Sequence, residues 1–368
     1  MKNKSMYLDW YTKIPKLSYD LRSSGINYFS FDLNLKNFDL SINYDDGNPN
    51  TRKIISSRYN VKPENVFISS EGASGQNTRI IRCISEKNTD KNEVIVEYPT
   101  YEPLLRAAQE YFPYVKRVER LEKNCYKIDV SKLKKIVSNK TGLLIITNPH
   151  APTGIITNKK ELVEIMDLAC KYEFFIICDE IYAEFDRKKI PCTYSINNDF
   201  GITVTGFSKA YGLGGLKLGV AIAKNELIDE FYNDSLNTVG NHPNVVQYIA
   251  VELFTKYKNE LEKHLKKWDH LKKETENFLD ENNFEYLPSK AGITYWVKTN
   301  IADTYIWVNK KAIPKYNLVV VPGSFFYYKN NYKLIKTNTL RLGIGNINPE
   351  KPNLIDALET FKKSINSY

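Results

Sequence analysis

Between about residues 60 and 225, short apolar runs alternate with amphipathic stretches: EVIVEYP, GLLIITNP, FFIICDEIY, ITVTGFSK and LGVAIAK. Each run is apolar on both faces and gives way to polar residues, the pattern of a strand buried in a parallel sheet and joined to its neighbour through a helix. Among the intervening segments, NKKELVEIMDLACKYE predicts a helix. Asn158 stands where a cap is needed, and Leu162, Ile165, Met166 and Ala169 recur on one face. The βαβ alternation predicts a doubly wound α/β sheet whose functional residues lie at the carboxyl ends of its strands.

Further along, residues 245–283 predict one or two long charged helices with apolar positions at Val245, Ile249, Val251 and Leu253. They lead into a second unit with strand candidates ITYWVK, LVVVPGSFF and LRLGIG, and the first 40 or so residues are expected to pack beside it. This places a large domain over 45–250 and a smaller one over 251–368 together with the segment 1–44. The length of 368 residues, 42% of them hydrophobic, leaves room for such cores.

The formal charge of +9 raises the question of a nucleic-acid partner. The basic residues are interleaved with acids, as in KNELEKHLKKWDHLKKETENFLDENN, which reads as a solvated helical face, and no nucleic-acid partner is expected. The five cysteines form no CxxC and are odd in number, so buried free thiols in a reducing cytoplasm are expected. No apolar stretch approaches the roughly 18 residues of a membrane span, and the N-terminus lacks a signal-like apolar region, so neither a membrane partner nor export is expected. The four histidines show no metal-ligand spacing, and no metal site is expected.

The glycines of SKAYGLGGLKLG invite a nucleotide-loop reading. After Gly212 and Gly214, however, the third position of a GxGxxG fingerprint is Lys217, and no GxxxxGK[ST] occurs, so a Rossmann or P-loop site is disfavoured. Three strand ends offer a different constellation: Asp179 with Tyr182 three residues on, Ser208 with Lys209, and TNPHAPTG. One carboxylate, one phenol, one hydroxyl and one amine would converge at a single sheet edge. Taken singly, a lysine is an ordinary surface residue and an aspartate after a strand an ordinary helix cap.

In order and spacing, EYPTYEPL, TNPHAPTG, CDEIY and SKAYGLGGLKLG, supported by EGASGQN, resemble the class I/II aminotransferases of the fold-type-I pyridoxal-phosphate (PLP) enzymes, from SSGI near residue 25 to LRLGIG near 343. The resemblance implies a mainly parallel seven-stranded sheet in the large domain, a smaller α/β domain, and PLP as cofactor. It makes Lys209 the Schiff-base lysine, Asp179 the partner of the pyridine nitrogen, Tyr182 the donor to the ring oxygen, and Tyr101 the residue stacked on the ring. Backbone N–H groups of Ala73 and Ser74 at a helix N-terminus, with Ser208 and Lys217, would hold the phosphate. Arg341 would fork onto the substrate α-carboxylate, with Ser24 and Gly25 nearby. Tyr44 would reach the phosphate of the partner subunit in a homodimer.

Three positions depart from the family pattern. Ala151 stands where an asparagine usually precedes PTG, leaving Tyr182 as ring-oxygen donor unless Asn148 or His150 reaches in. Lys217 replaces a phosphate-binding arginine, and Gly206 a serine or threonine. The implied activity is ping-pong amino transfer from an L-amino acid to a 2-oxo acid, with aspartate and 2-oxoglutarate as the leading pair. Aromatic or small neutral substrates are open alternatives. A C–S β-lyase or a decarboxylase would share the same groups, and a weakly active PLP-binding regulatory protein is a third reading.

Overall fold

The computed structural model describes residues 5–27, 38–42, 44, 47–328, 333–350 and 353–367. The chain opens with helix α1 (Met6–Lys13) and two short strands, β1 (Tyr19–Asp20) and β2 (Arg22–Ser23). Helix α2 (Pro49–Tyr59) leads to β3 (Val66–Ser69), α3 (Gly72–Lys87), β4 (Glu93–Tyr98), α4 (Glu102–Tyr111) and β5 (Tyr114–Glu119). There follow α5 (Val130–Ile136), β6 (Thr141–Thr147), α6 (Lys159–Tyr172), β7 (Phe175–Asp179), β8 (Gly201–Gly206) and β9 (Gly219–Ile222). These seven strands form one sheet in the order β3-β9-β8-β7-β6-β4-β5.

Both faces of this sheet are covered, which explains why its strands read as continuous apolar runs. Along β6, Leu143 and Ile145 join the core with Ile80 of α3 and Leu104 of α4, while Leu144 and Ile146 join the opposite core with Leu133 of α5 and Ile165 of α6. The alternation is the period-2 geometry of a strand acting on a sheet with two buried faces. The expectation that all five apolar runs are parallel holds for β4, β6, β7 and β8. Strand β9 corrects it, running antiparallel to both β8 and β3. The segment 207–218 returns the chain directly to the same edge, with no crossover helix to restore the direction.

Helix α6 is the helix the periodicity predicts. Leu162, Ile165, Met166 and Ala169 are buried, and Asn158 Oδ1 accepts from Glu161 N at 3.1 Å while Glu161 Oε2 accepts from Asn158 N at 2.8 Å. Beyond β9 come α7 (Asn225–Thr238), α8 (Asn244–Thr255) and the long α9 (Lys258–Glu281). Of the four apolar positions read in this stretch, Leu253 is buried and Val245, Ile249 and Val251 are half-buried, while Gln247, Ala250 and Glu252 fill the rest of the inner face of α8. Gln247 is drawn inward because its Oε1 accepts from Asn48 N at 2.7 Å and its carbonyl from Thr51 Oγ1 at 3.0 Å.

The remaining elements are β10 (Glu285–Leu287), β11 (Thr294–Lys298), α10 (Thr304–Trp307), α11 (Ile313–Tyr316), β12 (Leu318–Val319), β13 (Val321–Pro322), β14 (Thr339–Ile344) and α12 (Leu354–Asn366). Strand β14 lies between β11 and β13, both antiparallel to it, and the N-terminal β2 pairs with it in parallel; β1 pairs with β12. Tyr7 and Trp10 of α1 share a core with Trp268, Trp307, Phe325 and Phe361. Residues 6–23 therefore pack beside the second unit, whereas Phe38 meets Tyr248 of α8, with ring centroids 4.7 Å apart. The cysteines are free, but the expectation of burial holds only in part: Cys83 and Cys178 are buried, Cys192 is half-buried, and Cys125 and Cys170 are exposed on helical or turn surfaces that carry no core face.

The reciprocal cap at Asn158 should be measurable. Asn158→Ala is expected to lower the urea midpoint by the equivalent of about 1 kcal/mol with the m-value unchanged.

Candidate active site

Strands β6, β7 and β8 end side by side, and their carboxyl ends floor a cavity of about 530 Å³. Asp179 is the last residue of β7. Its Oδ1 accepts from Ile181 N at 3.0 Å and its Oδ2 from Asn77 Nδ2 at 2.7 Å, which fixes the carboxylate plane. Burial pushes its pKa up to about 6, against the downward pull of those two bonds and of the nearby Lys209 amine.

Lys209 follows β8 by three residues, at the cavity floor. Its Nζ donates to Ser24 Oγ at 3.2 Å, and its carbonyl accepts from Ile26 N at 2.7 Å. The N-terminal segment is thus laid directly over the lysine. Gly25 permits the approach: a Cβ there would lie 3.0 Å from Lys209 Cδ and 3.1 Å from the Ser208 carbonyl. Burial lowers the amine's pKa; Tyr7 and Asp179 oppose that shift, while Arg341 and Lys217 reinforce it. Ser24 also hydrogen-bonds Tyr182, whose phenol burial holds above its ordinary range.

On the opposite wall, α3 begins at Gly72 with no side-chain cap, leaving the Ala73 and Ser74 N–H groups of its first turn without intrahelical partners. Gly72 N itself donates to the Lys217 carbonyl at 2.5 Å. Lys217 holds a left-handed φ of 53° and is exposed toward the cavity, with no acid paired to it among the described residues. Tyr101, just ahead of α4, hydrogen-bonds the Ser74 side chain, and burial raises its pKa. Ser208 lines the cavity too.

Arg341, in the middle of β14, forms the far end. It is only 3% exposed and has no carboxylate partner among the described residues. One Nη2 donates to Tyr7 Oη at 3.0 Å and to the Arg22 carbonyl at 2.9 Å, and Nε is buried without a partner.

The cavity therefore gathers Lys209, Asp179, Tyr182, Ala73, Ser74, Tyr101, Ser208, Lys217, Arg341, Ser24 and Gly25. Tyr44 does not line it; that side chain is half-buried elsewhere in its own chain, with its carbonyl accepting from Gly47 N at 3.4 Å. Ala151 faces the cavity, and neither candidate substitute reaches in. Asn148 is spent on both backbone groups of Thr157, and His150 on Thr153 Oγ1 and the Pro99 carbonyl. Sequence reasoning missed Asn77, although it lies one helical turn beyond Ala73 in the quoted EGASGQN. It also missed Tyr7, Leu8 and Tyr11 of α1, which wall the cavity and carry no local signal of chemistry.

Solved structures of aminotransferases share this fold. A PLP-dependent aminotransferase from Streptococcus suis superposes with a TM-score of 0.84, at 20% identity over 100% of this chain and 99% of that one. The Thermus thermophilus aspartate aminotransferase with maleate gives 0.81, at 19% identity over 97% and 94%. The family model described as aminotransferase class I and II matches residues 42–358, and the chain belongs to that family. Its similarity extends to the aspartate aminotransferase of Pyrococcus abyssi, 28% identical over 68% of this chain and 67% of that protein. The aromatic-amino-acid aminotransferase 2 of Thermococcus litoralis is 26% identical over the same shares. By its family the chain is a transaminase.

The raised pKa of Asp179 carries a linkage consequence. A folded-state pKa above the unfolded value contributes stability below about pH 4 that is lost as pH rises through about 6. In ligand-free protein at pH 8, Asp179→Asn is expected to unfold at a higher temperature than wild type. That advantage should disappear near pH 4, as read by thermal melts across the range.

Proposed function

We propose that the protein transfers an amino group from an L-amino acid to a 2-oxo acid with PLP held in this cavity. The observation that carries the reading is the buried Arg341 guanidinium, without an acid and with an orphaned Nε, in one cavity with a buried amine and a buried carboxylate. The residues present fit the cofactor. The unpartnered N–H groups of Ala73 and Ser74, the Ser208 hydroxyl and the Lys217 ammonium would hold a phosphate at the N-terminus of α3. Gly206 borders this cradle: a Cβ there would lie 3.9 Å from Ala73 N, in ordinary van der Waals contact. Asp179, fixed by Asn77, would hold a proton on the pyridine nitrogen, Tyr182 would donate to the ring oxygen, and Tyr101 would cover the ring face.

PLP, when bound, supplies the electron sink for the pair released at the substrate Cα. Lys209 would hold the cofactor through its amine, and the same amine is placed to move the proton from the substrate Cα. Its depressed pKa lets it act as a base nearer neutrality than an exposed lysine would. Arg341 forks onto the α-carboxylate and fixes which Cα bond faces Lys209.

Aspartate with 2-oxoglutarate is the first pair to test, supported by the similarity to aspartate aminotransferases. One observation favours a second reading, an aromatic donor. The wall beside Arg341 is built from Tyr7, Leu8 and Tyr11, and the cations among the described lining residues are Lys209, Lys217 and Arg341, each with a role already. The proposal extends to a homodimer in which Tyr44 serves the partner's phosphate site, supported by the exposed Leu40, Ile42, Leu236 and Val239. It also divides the chain into 45–250 and 1–44 plus 251–368, since the strands of the large sheet all fall within the first range. A cytoplasmic location fits; among the described residues no helix is long and apolar enough to cross a membrane.

The test is a half-reaction. PLP-loaded protein mixed with single L-amino acids and no 2-oxo acid should convert its cofactor band once, to pyridoxamine phosphate, with aspartate or an aromatic amino acid the most effective. A band that returns while pyruvate, ammonia or CO₂ accumulates would sink the transamination reading. Lys209→Ala should lack the covalent cofactor band altogether. Arg341→Ala should raise KM about a hundredfold for all amino acids alike, the expected scale for losing a charge-assisted fork.

A further inference from the structure

Glu102 opens α4 one residue after Tyr101, and it is fully buried without lining the cavity. Its Oε2 accepts from Ser5 Oγ at 2.7 Å and Tyr7 N at 2.8 Å; its Oε1 accepts from Met6 N at 3.0 Å and Arg106 Nε at 2.9 Å. Three of these four bonds come from the first turn of α1, 95 to 97 residues earlier in the chain. A buried carboxylate is thus docked on the N–H groups that a helix leaves unpaired at its positive end.

The other end of α1 is held by the opposite charge. Arg22 Nη1 donates to the carbonyls of Tyr11 at 3.0 Å and Ile14 at 3.4 Å, and the guanidinium lies 4.8 Å from the centre of the Tyr11 ring. A helix of eight residues does not hold its shape in water unaided. Here its dipole is matched at both ends, by an anion on α4 and a cation on β2.

What this fixes is Tyr7. Its ring is edge-on to Tyr101 with centroids 6.0 Å apart, and its hydroxyl accepts from Arg341 Nη2 at 3.0 Å. The backbone N–H of the same residue is one of the bonds to Glu102. One residue therefore links the carboxylate to the guanidinium.

We propose that Glu102 is a positioning residue for substrate recognition: by clasping the first turn of α1 it sets Tyr7 against Arg341, and so fixes the guanidinium that receives the amino-acid carboxylate. The proposal rests on the reading of Arg341 given above. A carboxylate is required because Ser5, Met6, Tyr7 and Arg106 all donate to it and Tyr328 is a further hydrogen-bond partner, whereas an amide would turn one acceptor into an NH₂ facing N–H groups.

Steady-state kinetics and single-amino-acid titrations of the PLP-loaded enzyme test it. Glu102→Gln is expected to raise KM at least roughly tenfold for every amino acid, the scale of a lost charge-assisted bond, with kcat within about twofold and the cofactor band unchanged. Ser5→Ala, which removes one outer bond and keeps the carboxylate, should raise KM less; it also keeps the test open if Glu102→Gln does not fold. Tyr7→Phe should raise KM by itself, and adding Glu102→Gln to it should add little, because the effect passes through the Tyr7 hydroxyl. Full additivity of the two, or a fall in kcat with KM unchanged, overturns the proposal. With Ser5→Ala as the only folded variant, an unchanged KM overturns it. If Arg341→Ala leaves KM unchanged, the carboxylate assignment falls and this proposal with it. If Arg341→Ala raises KM while Glu102→Gln is silent, only the role of Glu102 falls.

Discussion

The buried guanidinium of Arg341 is the constraint around which the cavity is arranged. Removing a charge from water costs several kcal/mol unless it is paired, and no acid among the described residues pairs with it. Partial compensation comes from Tyr7 Oη, the Arg22 carbonyl, and the faces of Phe326 and Tyr7, whose ring centres lie 5.3 and 5.8 Å from the guanidinium carbon. Arg120 shows the contrasting solution in the same chain. It too is buried, but Glu97 takes its Nη1 at 2.7 Å, and the Tyr126 carbonyl and Thr157 Oγ1 take the rest. A cation satisfied within the chain is architecture; Arg341, buried with no acid among the described residues, is the one proposed to receive an anion.

The rest of the cavity follows the same logic with the sign distributed. Lys209, Lys217 and Arg341, together with the N-terminus of α3, face one carboxylate, Asp179, so the cavity is electropositive, as the proposed phosphate and carboxylate groups require. Glu71 also lines it, but its carboxylate is paired with Arg79. At the entrance to the same loop, Ser70 N donates to His242 Nδ1 at 3.2 Å, and His242 Nε2 meets Ser235 Oγ at 2.9 Å. The backbone donor requires an unprotonated Nδ1, and burial, by lowering this imidazole's pKa, keeps it so.

The large sheet and the centre of the site were legible in the sequence because their signals are local. A fully covered strand must be apolar on both faces, and Asp179, Tyr182, Ser208 and Lys209 stand within a few residues of strands that can be read directly. What escaped was set by distance or by direction. Glu102 and α1 meet across more than ninety residues, so nothing near either marks the contact. The reversal of β9 depends on how the segment 207–218 folds back, and a buried strand has the same composition in either direction. The inner face of α8 carries Gln247 and Glu252 because hydrogen-bond partners wait there, which periodicity alone cannot register. Asn77 was visible as a residue but not as a partner of Asp179.

Two positions that depart from the family pattern, Gly206 and Lys217, lie where β9 packs against β8 and α3. A Cβ at Gly206 would lie 2.8 Å from the Leu218 carbonyl and 3.2 Å from Ile181 Cδ1, so a side chain there would require the backbone at Leu218 to shift. A Cβ at Gly219 would lie 2.5 Å from the Gly72 carbonyl, which brings the start of β9 against the start of α3 and places the Lys217 carbonyl on Gly72 N. Lys217 adopts a left-handed backbone to do so, a conformation that costs a non-glycine residue about 1 kcal/mol or more. Its backbone shapes the first turn of α3 and its ammonium supplies the charge beside it. Exchanging arginine for lysine there gives up the fork and keeps both of those contributions. Losing a neutral donor at Ala151 costs on the order of 0.5–1.5 kcal/mol. These are adjustments to how firmly a ligand is gripped, small beside the several kcal/mol at stake in leaving Arg341 charged, buried and waiting.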